Sequence, residues 1–137
     1  MTAEAVIVEL LGQPAGCPIR GIVADGTAIA KGALMIWKTD PRTLLKHAGV
    51  DESFAGIAAT EKVASDGQLS IAVYTNGIFD ITAAAAGVVA MGAMAAVSAT
   101  PNMTTAADAA DLLQNSHVGY VLESQANDEV SLIRILK

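Results

Sequence analysis

Short runs in which apolar side chains alternate with polar or small ones recur along this chain, each with the length of a β-strand. They cover Val6 to Leu10, Ala33 to Trp37, Gly56 to Ala59, Leu69 to Tyr74, Ala93 to Val97, Val118 to Glu123 and Val130 to Leu136. Turn-forming groups separate them. Ser65-Asp66-Gly67 precedes the Leu69 run, Thr75-Asn76-Gly77 follows it, and Gln125-Ala126-Asn127-Asp128 precedes the last strand. Gly and Asn accept the positive φ that tight reversals demand. Two stretches break this pattern and predict short helices. In the first, Asp40 is placed as N-cap, Pro41 at the first helical position, Leu44 and Leu45 form an apolar face, and Gly49 is the stop. The second runs from Thr105 to Asn115, with Thr105 and Asp108 as a capping-box-like pair and Leu112 and Leu113 toward the core. Between them Thr82 to Ala90 is ambiguous, because its alanines favour helix while Gly87, Val88 and Val89 do not.

The runs repeat. Lys31-Gly32-Ala33-Leu34-Met35 matches Met91-Gly92-Ala93-Met94-Ala95, and the same shift places Asp40-Pro41 on Thr100-Pro101. Ala55-Gly56-Ile57-Ala58 then aligns with Val118-Gly119-Tyr120-Val121, and Ser70-Ile71-Ala72-Val73 with Ser131-Leu132-Ile133-Arg134, at nearly that spacing. Each half reads as strand, turn, Pro-initiated segment, Gly-containing strand, polar turn and strand, which points to internal duplication. The expected fold class is mainly β: a small β-barrel or β-tulip-like domain with two short helices. The expected organisation is an N-terminal arm or edge strand over 1–18, then one barrel-like domain over 19–137 with pseudo-repeats at about 21–77 and 78–137.

Composition narrows the function. The chain has 137 residues and a net charge of −6, which fits one domain and excludes a multidomain enzyme. Its apolar fraction of 53% is dominated by alanine, and only 4% of residues are aromatic. Small side chains allow close backbone approach but contribute little transfer energy each, so association with another subunit is expected. The eight Lys and Arg are scattered, which disfavours nucleic acid as a partner. Ile81 to Ala107 carries one lone acid-free, base-free stretch, yet Ala, Gly, Thr and Ser dominate it and Pro101-Asn102 interrupts it, so no membrane span is expected. Pro14-Ala15-Gly16-Cys17 superficially matches a lipidation box, but Glu4 and Glu9 precede it with no Lys or Arg.

Candidate chemistry is sparse. The single cysteine, Cys17, cannot close an intrachain disulfide, and no spacing links it or a serine to His47 or His117 as nucleophile and base. His47 and Asp51 could share a helix face, but Gly49 lies between them, so a solvated helix end is the better reading than a metal site. Gly21 to Thr27 departs from a phosphate loop at its end, where Thr27 and Ala28 replace the lysine and hydroxyl residue. Asp51-Glu52 and Asp128-Glu129 sit in predicted turns as solvated acids. No catalytic residue, metal ligand or cofactor is expected. Trp37, the only tryptophan, is read as a core or subunit-interface anchor.

Gly26-Thr27-Ala28-Ile29-Ala30-Lys31-Gly32-Ala33-Leu34, Phe54-Ala55-Gly56-Ile57-Ala58, Gly67-Gln68-Leu69-Ser70-Ile71-Ala72-Val73 and Asn76-Gly77-Ile78-Phe79-Asp80-Ile81 together carry a resemblance. Over most of the chain after residue 20, this pattern resembles the small head decoration, or cement, proteins of tailed double-stranded DNA viruses. The resemblance implies a barrel-like β-tulip fold, no catalytic residues, a homotrimer, and binding to the major capsid protein on the exterior of the virion after synthesis in the host cytoplasm. It also implies an N-terminal arm that pairs with the capsid protein. Val6, Ile7, Val8 and Leu10 are the candidate capsid contacts in that arm, although the same segment reads equally as the first strand of the chain's own barrel. Met35, Trp37, Met91 and Met94 are the candidate subunit or capsid interface residues. The segment from Asn102 to Asn115 departs from shorter members of that family. The alternative function is a small β-barrel module that recognises a surface glycan or protein, which would need an aromatic platform built from Trp37, Tyr74 or Tyr120.

Overall fold

The computed structural model describes residues 4–84, 90–124, 126 and 128–137. Most of the ambiguous alanine-rich run, together with Gln125 and Asn127 of the last predicted turn, lies outside them. Among the described residues there are eleven strands and one helix: β1 Val6–Leu10, β2 Ile19–Ile22, β3 Leu34–Trp37, β4 Leu44–Lys46, β5 Phe54–Ala58, β6 Ser70–Tyr74, β7 Asn76–Ala83, β8 Met94–Val97, β9 Met103–Ala106, α1 Ala109–Leu113, β10 His117–Val121 and β11 Val130–Leu136. The protein is mainly β.

The strands form two rings. The second has the order β7-β11-β10-β8-β9 and closes through a parallel pair between β7 and β9, Thr82 with Met103 and Ala83 with Thr104. This is a closed five-stranded barrel. The first has the order β2-β6-β5-β3-β4, and a parallel bridge between Ile22 and Thr43 brings its ends together. Substituting β2 to β6 by β7 to β11 in chain order converts one arrangement into the other. Register repeats as well. Ile22 pairs with Ser70 as Thr82 pairs with Val130, Met35 pairs with Lys46 as Ala95 pairs with Ala106, and Met35 pairs with Gly56 as Ala95 pairs with Gly119. Both β3–β5 and β8–β10 carry a bulge at this glycine. The register equates Ser70 with Val130, one residue earlier than the Ser131 of the sequence alignment, because the strand rather than the serine is what repeats.

The first predicted helix is a hairpin. The backbone turns where the N–H of Thr43 donates to the carbonyl of Asp40, Arg42 takes φ +52°, and β4 pairs with β3. A helix would bring Leu44 and Leu45 to one face, whereas the strand buries Leu44 and turns Leu45 outward. The second predicted helix is shorter than expected. Thr105 belongs to β9, and the N-cap is Asp108, whose carboxylate accepts from Ala110 and Asp111 while Asp111 reaches back to the N–H of Asp108. Leu113 is 90% exposed and Leu112 is also exposed, so neither faces the core. Thr75-Asn76-Gly77 is not a reversal either. Thr75 alone separates β6 from β7 as the chain passes from one ring to the other, and Gly77 permits β1 to approach closely, since a side chain there would meet the carbonyl of Glu9.

Two apolar clusters fill the rings. Val23, Ile29, Ala33, Met35, Leu44, Ala55, Ala58, Ile71 and Val73 form the first-ring core. Phe79, Ile81, Ala95, Val97, Val118, Val121, Ile133 and Ile135 line the second, and Leu34, Phe54 and Ile57 from the outside of the first ring join them. Strands β3 and β5 are therefore covered on both faces, one by their own barrel and one by its neighbour. His47 reinforces this seam. Its Nδ1 accepts from the N–H of Asn102 at 3.1 Å, which leaves Nε2–H to donate to the carbonyl of Ser98 at 2.8 Å.

Candidate interaction surfaces

Strand alternation decides which candidate contact residues remain available. β1 pairs antiparallel with β7, with Val6 opposite Asp80 and Leu10 opposite Gly77, and a register shift between Ile7 and Glu9 places Val8 at a bulge. Ile7 and Leu10 pack on the second-ring core. Both are partly buried, with their side chains against the chain's own interior. Val6 and Val8 face out, 59% and 50% exposed. β1 is the terminal strand of its sheet. Among the described residues no strand occupies its outer edge, so it presents both backbone groups and apolar side chains.

The four interface candidates separate. Met35 is fully buried in the first-ring core and is withdrawn as an interface residue, because β3 turns it inward opposite Lys46 and Gly56. Trp37 is half-buried and packs against the edge of the same core. Met91, at the turn before β8, is 69% exposed, and Met94 on β8 is 37% exposed. Met94 begins an outward row, since it pairs with Tyr120, Tyr120 with Arg134, and Arg134 with Ile78 across adjacent strands.

The groups considered for chemistry are held in structural roles. Cys17 donates weakly to the carbonyl of Leu11 and receives the amide of Asn76. Among the described residues no three His, Cys, Asp or Glu side chains gather as a metal site. No helix among them is long and apolar enough to cross a membrane. Sequence reasoning missed Lys62. Its ammonium is buried and donates to the carbonyl of Asp25 at 2.6 Å, to that of Val63 at 3.2 Å and to Asp66 Oδ1 at 3.2 Å. Asp66, in turn, is held below the usual carboxylate range, first by the N–H of Gln68 and also by Lys62. The one available signal was an acid four residues beyond a lysine in a polar loop.

The C-terminal lysine lies at the seam between the rings. Lys137 Nζ donates to Asn115 Oδ1 at 2.7 Å, approaches His117 Nε2 at 3.4 Å, and sits 5.8 Å from the centre of the Phe54 ring. Burial holds its pKa down at about 8. Burial, followed by the charge of Lys137, likewise lowers His117 below its ordinary value. Each base binds fewer protons folded than unfolded, so stability rises with pH in two windows. The first lies below 6.5, down to the lowered folded value of His117, and the second runs from about 8 to 10.5 for Lys137. Urea midpoints measured across pH should climb through both, and Lys137→Gln should abolish the upper climb.

A search of protein-family models finds no match to this chain, and no curated protein matches it.

Proposed function

We propose that this chain is a structural, non-enzymatic protein that binds the outside of a viral capsid lattice and stabilises it as a homotrimeric cement. The observation that carries this reading is β1: an edge strand with an open backbone ladder and with Val6 and Val8 turned to solvent. Such an edge accepts an extended segment from the major capsid protein by strand addition, with backbone hydrogen bonds giving affinity and alternate side chains giving register. The strand stays in its own sheet and receives its partner there. Met91 adds a second exposed apolar contact. A trimer engaging several capsid sites together gains from effective concentration, and preference for the expanded lattice stabilises that lattice by linkage.

The resemblance of the glycine-punctuated segments to cement proteins supports the same reading. The glycan-module alternative is weaker on the placement of aromatics. Phe54 and Phe79 are buried, Tyr74 packs against Phe79 at a ring separation of 6.2 Å, and Trp37 and Tyr120 lie on different rings. The test is co-sedimentation with shells assembled from the major head protein encoded with this chain. Binding to expanded shells, raised resistance of those shells to heat, and loss of both in Val6→Asp/Val8→Asp are expected. Wild-type protein left in the supernatant would overturn the proposal.

A further inference from the structure

The contact between the two rings is directional. The first ring offers an outward row of Leu34, Phe54, Ile57 and Tyr74, which packs onto the core cluster of the second. Tyr74 meets Phe79, the N–H of Leu34 donates to Asn102 Oδ1 at 3.0 Å, and the N–H of Phe54 donates to the carbonyl of Asn115 at 2.9 Å. One ring supplies a projecting face and the other a receiving end. Because the repeats match strand for strand, each partner has a counterpart elsewhere in the chain: the projecting counterpart is exposed, and the receiving counterpart borders a surface pocket.

The counterpart of the projecting row lies on the second ring. The registers equate Leu34 with Met94, Phe54 with His117, Ile57 with Tyr120 and Tyr74 with Arg134. Leu34, Phe54 and Ile57 are buried within the chain, whereas Met94 is 37% and Tyr120 45% exposed. The counterpart of the receiving end lies on the first ring. There Ile19, Trp37, Ala55 and Thr75 take the places of Phe79, Val97, Val118 and Ile135. Together with Phe54, Asn115 and Lys137 of the seam, those four residues line a surface pocket of roughly 290 Å³, to which Ile19 offers exposed apolar area while Ala55 and Thr75 form a buried floor.

We propose that the Met94, Tyr120 and Arg134 face of one copy docks into the Ile19 and Trp37 end of the next, repeating between chains the contact that joins the two rings within a chain. The partner is a second copy of this chain. The substitutions fit an interface that must also survive in water: the apolar centre is kept at Met94 and Tyr120, while Phe54 and Tyr74 are replaced by the more polar His117 and Arg134. A projecting face meeting a different receiving surface is a heterologous contact, which closes into a ring when the rotation allows. The number of copies rests on the trimeric reading above. Three chains would then present six quasi-equivalent barrels around one axis.

Complementation tests the direction of the contact. Tyr120→Asp removes the projecting face and leaves the receiving end, and Ile19→Asp does the reverse. Each variant alone should have the mass of a monomer, and an equimolar mixture should form a heterodimer and nothing larger. The wild type should have three times the chain mass. A mixture that stays monomeric, or a monomeric wild type, would overturn the proposal. Cysteine pairing gives a readout independent of these charges. In a Cys17→Ala background, Met94→Cys with Arg42→Cys should cross-link between copies, because Arg42 is the counterpart of Asn102; Met94→Cys alone cross-linking to itself would show a two-fold contact and refute a head-to-tail one. Capsid binding is measured separately. Rings that ignore expanded shells would sink the cement reading alone, and capsid-binding trimers in which Met94→Cys with Arg42→Cys does not cross-link would sink this inference alone.

Discussion

Gly119→Ala is expected to cost about 3 kcal/mol or more, the largest loss from adding one methyl group to this chain. Gly119 lies mid-strand in β10, between Ala95 of β8 and Ile135 of β11. A Cβ there would overlap the carbonyl oxygen of Arg134 and crowd the Cα of Ile135. Both obstacles are backbone. No side chain can rotate away, so β10 and β11 must separate and lose ladder hydrogen bonds in the middle of the second barrel. Gly26→Ala is the matched control, since nothing lies within 4 Å of its added Cβ, and its expected change is within about 0.5 kcal/mol. Urea unfolding of both variants checks the pair. A cost below about 1 kcal/mol at Gly119 would mean that the two strands are further apart than described.

Lys62→Ala is expected to cost about 2–4 kcal/mol. The side chain is fully buried, and its three acceptors come from the chain on both sides of the 25–66 loop pair. Backbone bonds between Ile29 and Lys62 at 2.7 and 2.9 Å fix the same crossing. Truncation takes from the carbonyl of Asp25 the shorter of its two donors, leaving the N–H of Ser65 at 2.8 Å, removes the donor to Val63 and Asp66, and opens a void where the methylene stem lay. Lys62→Met separates these effects, because it refills the space without the charge and should recover part of the loss. Thermal unfolding of both variants distinguishes the clamp from simple packing. An alanine variant as stable as wild type would show that the ammonium contributes nothing net.

β6 and β11, which alternate over five or more residues, were legible from sequence, and so was the apolar run of β1; β7 alternates over eight residues yet was hidden, because Thr75-Asn76-Gly77 at its start reads as a reversal. β2, β4 and β9 were not legible, because three or four residues such as Leu44-Leu45-Lys46 carry too little period to separate a strand from a helix. Leu44 and Leu45 side by side resemble a helical face, and only the pairing partner decides otherwise. The inward orientation of Met35 was hidden for a related reason. Leu34-Met35-Ile36-Trp37 is apolar throughout, so no polar residue marks an outside. Such continuous runs signal a strand covered on both faces, and the cover on the second face comes from residues sixty positions away. Lys62 was invisible because an isolated lysine defaults to the surface. The repeat itself was readable through glycines and prolines, whose backbone roles persist when side chains diverge.

Within this sequence β1 is made before every other strand, yet it belongs to the ring that is finished last. Val6–Leu10 is complete about seventy residues before β7 offers it an edge, and until then the N–H of Ala5, held by the carbonyl of Gly32, and the bonds of Thr75 to the carbonyls of Gly16 and Cys17 tie that end to the earlier ring. Cutting the chain at Thr75 would therefore not release two half-size barrels. It would leave one fragment with a surplus strand and another with a bare edge along β7, each seeking the other.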